Sequence, residues 1–248
     1  MIVFGLGSGR SGSQSLARLL DAQAGAFVTH EKNPHVMAWS GAEPAVLENL
    51  REFERALSTG IPRLSVTLEE TNRDVIERMA RGGPVRLIGD VASYYLPYVS
   101  AIHDANPDVR FVCLKRDREE TVRSFLAKTF KRRSLPFLRY LGMRRVKDRN
   151  HWVAHDGRRW DLDPLWDRCF PKYETNSKRQ AIEMYWDEYY GTAARLELEM
   201  PGRFRVFPLA SLNDAASLDA ILEFVGVPKG DRALEVGLRV NVRATTRR

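Results

Sequence analysis

The sequence predicts an α/β fold of three layers, a central, mostly parallel five-stranded sheet flanked by helices. Three observations carry that prediction. Five short apolar runs are separated by segments of helical period, which is the pattern of strands joined by crossover helices. The first run passes through a glycine-rich loop straight into a helix. And 248 residues, 44% of them apolar, form one chain without internal repeat, flexible linker or low-complexity tract, so a single domain over residues 1–248 is expected.

The elements follow in order. Ile2 to Leu6 reads as a buried strand and Gly7 to Gly12 as a loop. Ser13 to Ala22 reads as a helix with Leu16, Leu19 and Leu20 on one face. A short second strand covers Ala26 to Thr29, and two charged amphipathic helices cover 43–57 and 72–81. Val85 to Ile88 is the third strand, followed by Gly89-Asp90 and a helix through Tyr94, Leu96, Val99 and Ile102. Arg110 to Leu114 is the fourth. Asp117 and Glu120 have the spacing of a capping box and open a helix that runs to about Lys131. After an irregular stretch come a long helix over 176–199, a fifth strand at Phe204 to Phe207, and a helix over 215–225 ended by Gly226 and Pro228.

Thirty-nine Lys and Arg against 32 Asp and Glu leave a net charge of +7, which favours anionic ligands. No helix-turn-helix, zinc-finger or RNA-binding signature accompanies the charge, so nucleic acid is not the expected partner. The two cysteines, Cys113 and Cys169, make no disulfide framework. No signal peptide and no apolar run near the roughly 20 residues of a membrane span are found, so a soluble, cytoplasmic protein is expected.

The loop Gly7-Ser8-Gly9-Arg10-Ser11-Gly12-Ser13-Gln14-Ser15 lies between a strand and a helix, where backbone N–H groups and the helix dipole converge on an anion. Its serines add hydroxyl donors and Arg10 a fixed charge. Three readings compete. Gly7-x-Gly9-x-x-Gly12 with Glu31 fits the dinucleotide fingerprint of a nicotinamide oxidoreductase. Gly7 and Gly12 have the spacing of a kinase-type P-loop, but Ser13 stands where its lysine belongs. A compact phosphate site is the third. Arg116, at the end of the fourth strand, and Ser124, two turns along the next helix, offer a second phosphate grip away from the first loop.

With these residues the sequence resembles the sulfotransferase superfamily, whose sulfuryl donor is 3′-phosphoadenosine 5′-phosphosulfate (PAPS). Gly9-Arg10-Ser11-Gly12-Ser13-Gln14-Ser15-Leu16 is similar to the family's 5′-phosphosulfate loop, and Arg116 with Ser124 to its 3′-phosphate pair. His30-Glu31, Gly89-Asp90 with Tyr94-Tyr95-Leu96, and Phe224-Val225-Gly226-Val227-Pro228 resemble bacterial members. The resemblance spans residues 1–130 and 176–228, and it implies a P-loop-like fold. It also implies in-line transfer of a sulfuryl group to an acceptor hydroxyl or amine, with no metal.

On that basis Gly9, Arg10, Ser11, Gly12, Ser13, Gln14, Ser15, Arg116 and Ser124 are the expected donor contacts. Arg10 meets developing charge, and Glu31 is the expected base, with His30 the alternative, since neighbouring strand residues point to opposite faces. Asp90 and Tyr94 are candidate acceptor contacts; for Asp90 a helix N-cap is the competing role. Asn241-Val242-Arg243 is a candidate closing segment over the nucleotide.

Between 131 and 175 the resemblance fails. From Lys128 to Arg149 there are nine basic residues and one acid, Asp148, and Trp152, Trp160, Trp166 and Tyr173 follow. An acceptor-binding lid for a small molecule, carbohydrate or lipid, or an anionic acceptor, is one reading; a solvated basic helix end with a satellite core is the other. His151 and His155 have no third ligand nearby and are expected at the surface.

Overall fold

Strand β1 (Ile2–Leu6) is buried along its whole length, and its side chains alternate between two cores as period-two geometry requires. The structure is a computed structural model that describes residues 1–34, 42–66, 72–129, 152–153, 159–160, 173, 175 and 177–234. On either side of β1 lie β3 (Leu87–Val91) and β4 (Arg110–Lys115). Outside β3 is β2 (Ala26–His30), and outside β4 is β7 (Phe204–Pro208). All four pairings are parallel. Two-residue strands β5 (Trp152–Val153) and β6 (Arg159–Trp160) form a separate antiparallel ribbon.

Helices cover both faces, so the three-layer expectation holds. On one face, Leu16, Leu19 and Leu20 of α1 (Ser13–Asp21) pack with Leu218, Ile221 and Leu222 of α7 (Ala215–Val225) over Val3, Val28, Val112 and Leu114. The other face carries α2 (Glu43–Thr59), α3 (Arg73–Arg81), α4 (Val99–Ala105), α5 (Arg118–Thr129) and α6 (Lys178–Glu199). Beneath these helices an aromatic rung crosses three adjacent strands. Phe4 lies opposite Phe111, and Phe111 opposite Phe204, with ring centroids 6.1 and 6.0 Å apart.

Two expectations are corrected. The third strand runs from Leu87 to Val91, so Gly89 and Asp90 lie inside it rather than after it. Only glycine fits at 89, where a Cβ would stand 2.0 Å from the Val3 carbonyl oxygen. The segment after it begins as a 3-10 turn, Ser93–Tyr98, and becomes α-helical only at Val99; Pro97, with no N–H to give, sits in that turn. Elsewhere the elements differ from expectation by about two residues at their ends. The strand order also bears on the dinucleotide reading. That fold places the second strand beside the first; here β3 separates β1 from β2.

Candidate active site

The loop after β1 reaches the carboxyl edge of the sheet and turns into α1. Gly12 is the N-cap of α1, with φ 89° and no side-chain cap. A Cβ there would meet Leu209 Cδ1 at 2.5 Å. The first-turn N–H groups, from Ser13, Gln14 and Ser15, have no carbonyl within the helix to take them, and the helix dipole adds to their pull on an anion. Ser11 is fully buried, and its Oγ has no hydrogen-bond partner among the described residues. It lies where a Cβ on Gly7 would be, at 2.1 Å. A buried hydroxyl left open beside a run of helix-start amides suits a phosphate or sulfate oxygen.

Arg10 and Glu31 are the only non-glycine residues with positive φ among the described residues, at 57° and 51°. A side chain in that region costs roughly 1–2 kcal/mol, and such strain collects at sites where the surrounding structure over-determines the backbone. Both had been singled out from sequence for charge chemistry.

Three phenols of α6 hold the loop from its buried side. Tyr189 Oη accepts from the Gly7 N–H (3.0 Å), and Tyr190 Oη from the Ser8 N–H (3.3 Å), while Tyr185 donates to the Ser8 carbonyl (3.0 Å). The same groups reach further: Tyr190 donates to the Leu114 carbonyl at 2.8 Å and Tyr189 to the Ser93 carbonyl at 3.2 Å. Burial pushes the Tyr190 phenol up to about 12, and the Tyr189 phenol well above its ordinary value, so both stay neutral donors. Trp186, one turn before Tyr190, donates its indole N–H to the Arg116 carbonyl at 3.1 Å. These aromatics were missed from sequence. Their signal is Tyr185-Trp186-x-x-Tyr189-Tyr190, two i,i+4 pairs on one helical face whose polar tips need partners once buried.

Arg116 and Ser124 do not form a grip apart from the loop. Arg116 Nη1 donates to the Arg10 carbonyl (3.1 Å), and Arg10 Nε donates to Ser124 Oγ (3.2 Å). Residues more than a hundred positions apart in the chain therefore share one rim. Arg116 also pairs with Glu120 at 3.1 Å, one turn into α5, while the Glu120 N–H takes the expected cap from Asp117 at 2.9 Å.

His30, the last residue of β2, is buried with its Nε2 2.9 Å from Ser13 Oγ, which brings it against the start of α1. Its backbone is held in both directions by the buried Asn72 side chain, at 2.8 and 3.0 Å. Glu31 follows, half-buried, with its N–H on the Val91 carbonyl at 3.1 Å. Asp90 is not an open acceptor contact, nor a helix cap. It is fully buried, and its carboxylate accepts from Thr29 Oγ1 (2.8 Å), the Lys32 N–H (3.1 Å to each oxygen) and Tyr95 Oη (2.6 Å). Tyr94 is buried too and reaches Asp90 at 3.4 Å.

Lys32 was not foreseen as a structural ion. Its side chain is 1% exposed, with Nζ 2.6 Å from Glu52 and 3.4 Å from Ser65 Oγ. Burial raises the Glu52 carboxyl, but the hydrogen bonds from Lys32 and Ser65 outweigh it and leave the group below its ordinary value. Ser65 accepts at its carbonyl from Asn33 Nδ2 (2.6 Å) and borders a cavity of about 920 Å³ with Ile61, Leu64, Ile76 and Met79.

No group of three or more His, Cys, Asp or Glu able to hold a metal ion occurs among the described residues. No helix among them is long and apolar enough to cross a membrane. The stretch from 131 to 172, with His151, His155, Cys169 and Trp166, lies outside the described residues apart from β5 and β6. So does Asn241-Val242-Arg243.

A parallel α/β sheet whose central strand runs through a glycine- and serine-rich loop into a helix, edged by Arg10 of that loop and by Arg116 after β4, has the build of an oxyanion site. The chain belongs to the sulfotransferase family: the model of the sulfotransferase family matches residues 3–181. It is accordingly a sulfotransferase, and the oxidoreductase reading falls with that match. None of the curated proteins compared with the chain matches it. Among solved structures, it is similar to a sulfotransferase from Alicyclobacillus acidocaldarius, with 16% identity and a TM-score of 0.49 over 98% of this chain and 86% of that one. It is also similar to the sulfotransferase domain from the curacin biosynthetic pathway, with 14% identity and a TM-score of 0.48 over 92% and 74%.

Proposed function

We propose that the enzyme transfers a sulfuryl group from PAPS to a hydroxyl or amine of a small-molecule acceptor, with Glu31 as the base. The single observation that carries this reading is the shared rim of Arg10, Arg116 and Ser124 above the loop. A donor with two separate phosphates uses the loop with Arg10 at one and Arg116 with Ser124 at the other, whereas a dinucleotide leaves Arg116 and Ser124 without a task. The buried, open Ser11 hydroxyl fits the same donor.

When bound, PAPS supplies an activated sulfuryl group on its 5′-phosphate and a second anchor in its 3′-phosphate. The amides of Ser11 to Ser15 and the Arg10 guanidinium meet the charge that collects on the departing phosphate oxygen, where preorganised donors lower a barrier most. Arg116 and Ser124 fix the 3′ end and with it the line of attack. Glu31 takes the acceptor's proton as the new bond to sulfur forms, and no metal takes part. His30, tied to Ser13, orients the start of α1. The acceptor enters on the side of Glu31, and the basic, aromatic composition of 131–175 is compatible with a carbohydrate, a lipid or an anionic small molecule.

Calorimetry tests the donor. The expected result is tight binding of 3′,5′-diphosphoadenosine, lost in Arg116→Ala, and none of NAD. Binding of NAD alone would overturn the assignment. An acceptor screen with labelled PAPS then tests the chemistry. Arg10→Ala should lower turnover by roughly 10²–10³, and Glu31→Gln should keep donor binding while losing transfer.

A further inference from the structure

The geometry points to Asp90 as a positioning residue that holds Glu31 in its left-handed backbone conformation and so aims its carboxylate. The turn in question is short. β2 ends at His30, whose backbone is clamped by Asn72. Glu31 adopts φ 51°, its N–H still on the Val91 carbonyl. Immediately after it, the Lys32 N–H is drawn onto both oxygens of Asp90, and the Lys32 side chain is buried against Glu52. The backbone is therefore fixed on both sides of Glu31, and Asp90 is the charge that fixes the far side.

Burying a carboxylate inside a strand is costly unless donors surround it. Asp90 has them from three elements: Thr29 on β2, the Lys32 N–H after it, and Tyr95, which itself accepts from Asn49 of α2 at 2.9 Å. Strand β3 thus reads out to the turn through one side chain. A neutral residue there would leave Lys32 with a weaker acceptor, because a hydrogen bond to a charged group is worth more than one between neutral groups. Glu31 would then relax toward the ordinary φ region, and its side chain would leave the acceptor side. Aiming a base is the functional consequence, and that part rests on Glu31 acting as the base.

The test is nuclear magnetic resonance on the full chain, with no acceptor needed. In Asp90→Asn, amide exchange at Lys32 should quicken by roughly ten- to a hundredfold, the loss of a charge-assisted bond. The Glu31 backbone and carboxyl carbon resonances, assigned with Glu31→Gln, should move away from their left-handed positions. Unchanged Glu31 resonances in Asp90→Asn would overturn the proposal. Should Asp90→Asn fail to fold, Thr29→Val and Tyr95→Phe each remove one donor from Asp90. Both should shift Glu31 in the same direction by less, and no shift in either is equally fatal. Glu31→Gln with full transfer, together with a shifted Glu31 in Asp90→Asn, would remove the base role and leave the positioning intact.

Discussion

Replacing Tyr190 with phenylalanine removes a single hydroxyl that serves three partners. It accepts from the Ser8 N–H, lies 3.2 Å from Ser8 Oγ and donates to the Leu114 carbonyl. All of these lie in the interior, so water cannot replace the lost phenol. Each buried group left without a partner costs about 1–3 kcal/mol. The Ser8 hydroxyl already contacts the Gly9 carbonyl at 3.3 Å and has that second outlet, so the Ser8 N–H and the Leu114 carbonyl dominate. The sum is about 2–6 kcal/mol. In a chain of this length each kcal/mol moves the midpoint by roughly 2–4 °C, which puts the drop in Tm at roughly 4–24 °C. Calorimetric melting and urea titration followed by Trp fluorescence both read it. Affinity for 3′,5′-diphosphoadenosine should also fall, because a looser loop must be ordered on binding. A variant within 0.5 kcal/mol of the parent, with unchanged affinity, would refute the idea that α6 holds the loop. The phenol's raised value adds a sign. Its folded state favours the neutral form, so this part of the stability is whole below pH 10, its ordinary value, and is lost as pH rises toward about 12.

Gly12→Ala forces a side chain into positive φ and onto Leu209, so it should cost roughly 2–4 kcal/mol in urea unfolding, whereas Gly60→Ala, with the same sign of φ but open space, should show the backbone cost alone. Glu52→Gln should cost about 3–5 kcal/mol at neutral pH by leaving Lys32 buried without its counter-charge. Because the Glu52 carboxyl is held below its ordinary 4.5, its contribution is present above that pH and is lost as pH falls through the folded value. The parent's urea midpoint should therefore drop more steeply in acid than that of Glu52→Gln. Burial pushes the Cys113 thiol far up, so a Cys169→Ser variant should react with a thiol reagent only after unfolding; rapid reaction of the folded protein would contradict the buried placement.

Periodicity made the strands and helices legible, and residue type made Arg10, Arg116 and Ser124 stand out. Two kinds of information were not local enough to read. One is lateral order: nothing in Ala26 to His30 or Leu87 to Val91 says that β3 lies between β1 and β2, which is what brings Asp90 under the Glu31 turn. The other is the pairing of polar tips across long separations, such as Tyr189 with Gly7, 182 residues apart. Asp90 was misread for a related reason. An acidic residue next to a glycine looks like an exposed turn until its four donors are known, and they come from the preceding strand, the turn after it and the segment Tyr94-Tyr95.

Helices α5 and α6 are bound together by Arg118 with Asp187 (2.6 Å), by Arg179 with Glu119, and by Phe125 against Tyr185. One of them brings Ser124 to the rim, and the other brings the tyrosines beneath the loop. The chain between Thr129 and Lys178 therefore departs from, and returns to, a pair of helices bound to each other and to the loop after β1. Under the proposed function, replacing residues 131–175 should therefore leave binding of 3′,5′-diphosphoadenosine intact while changing which acceptor is sulfated.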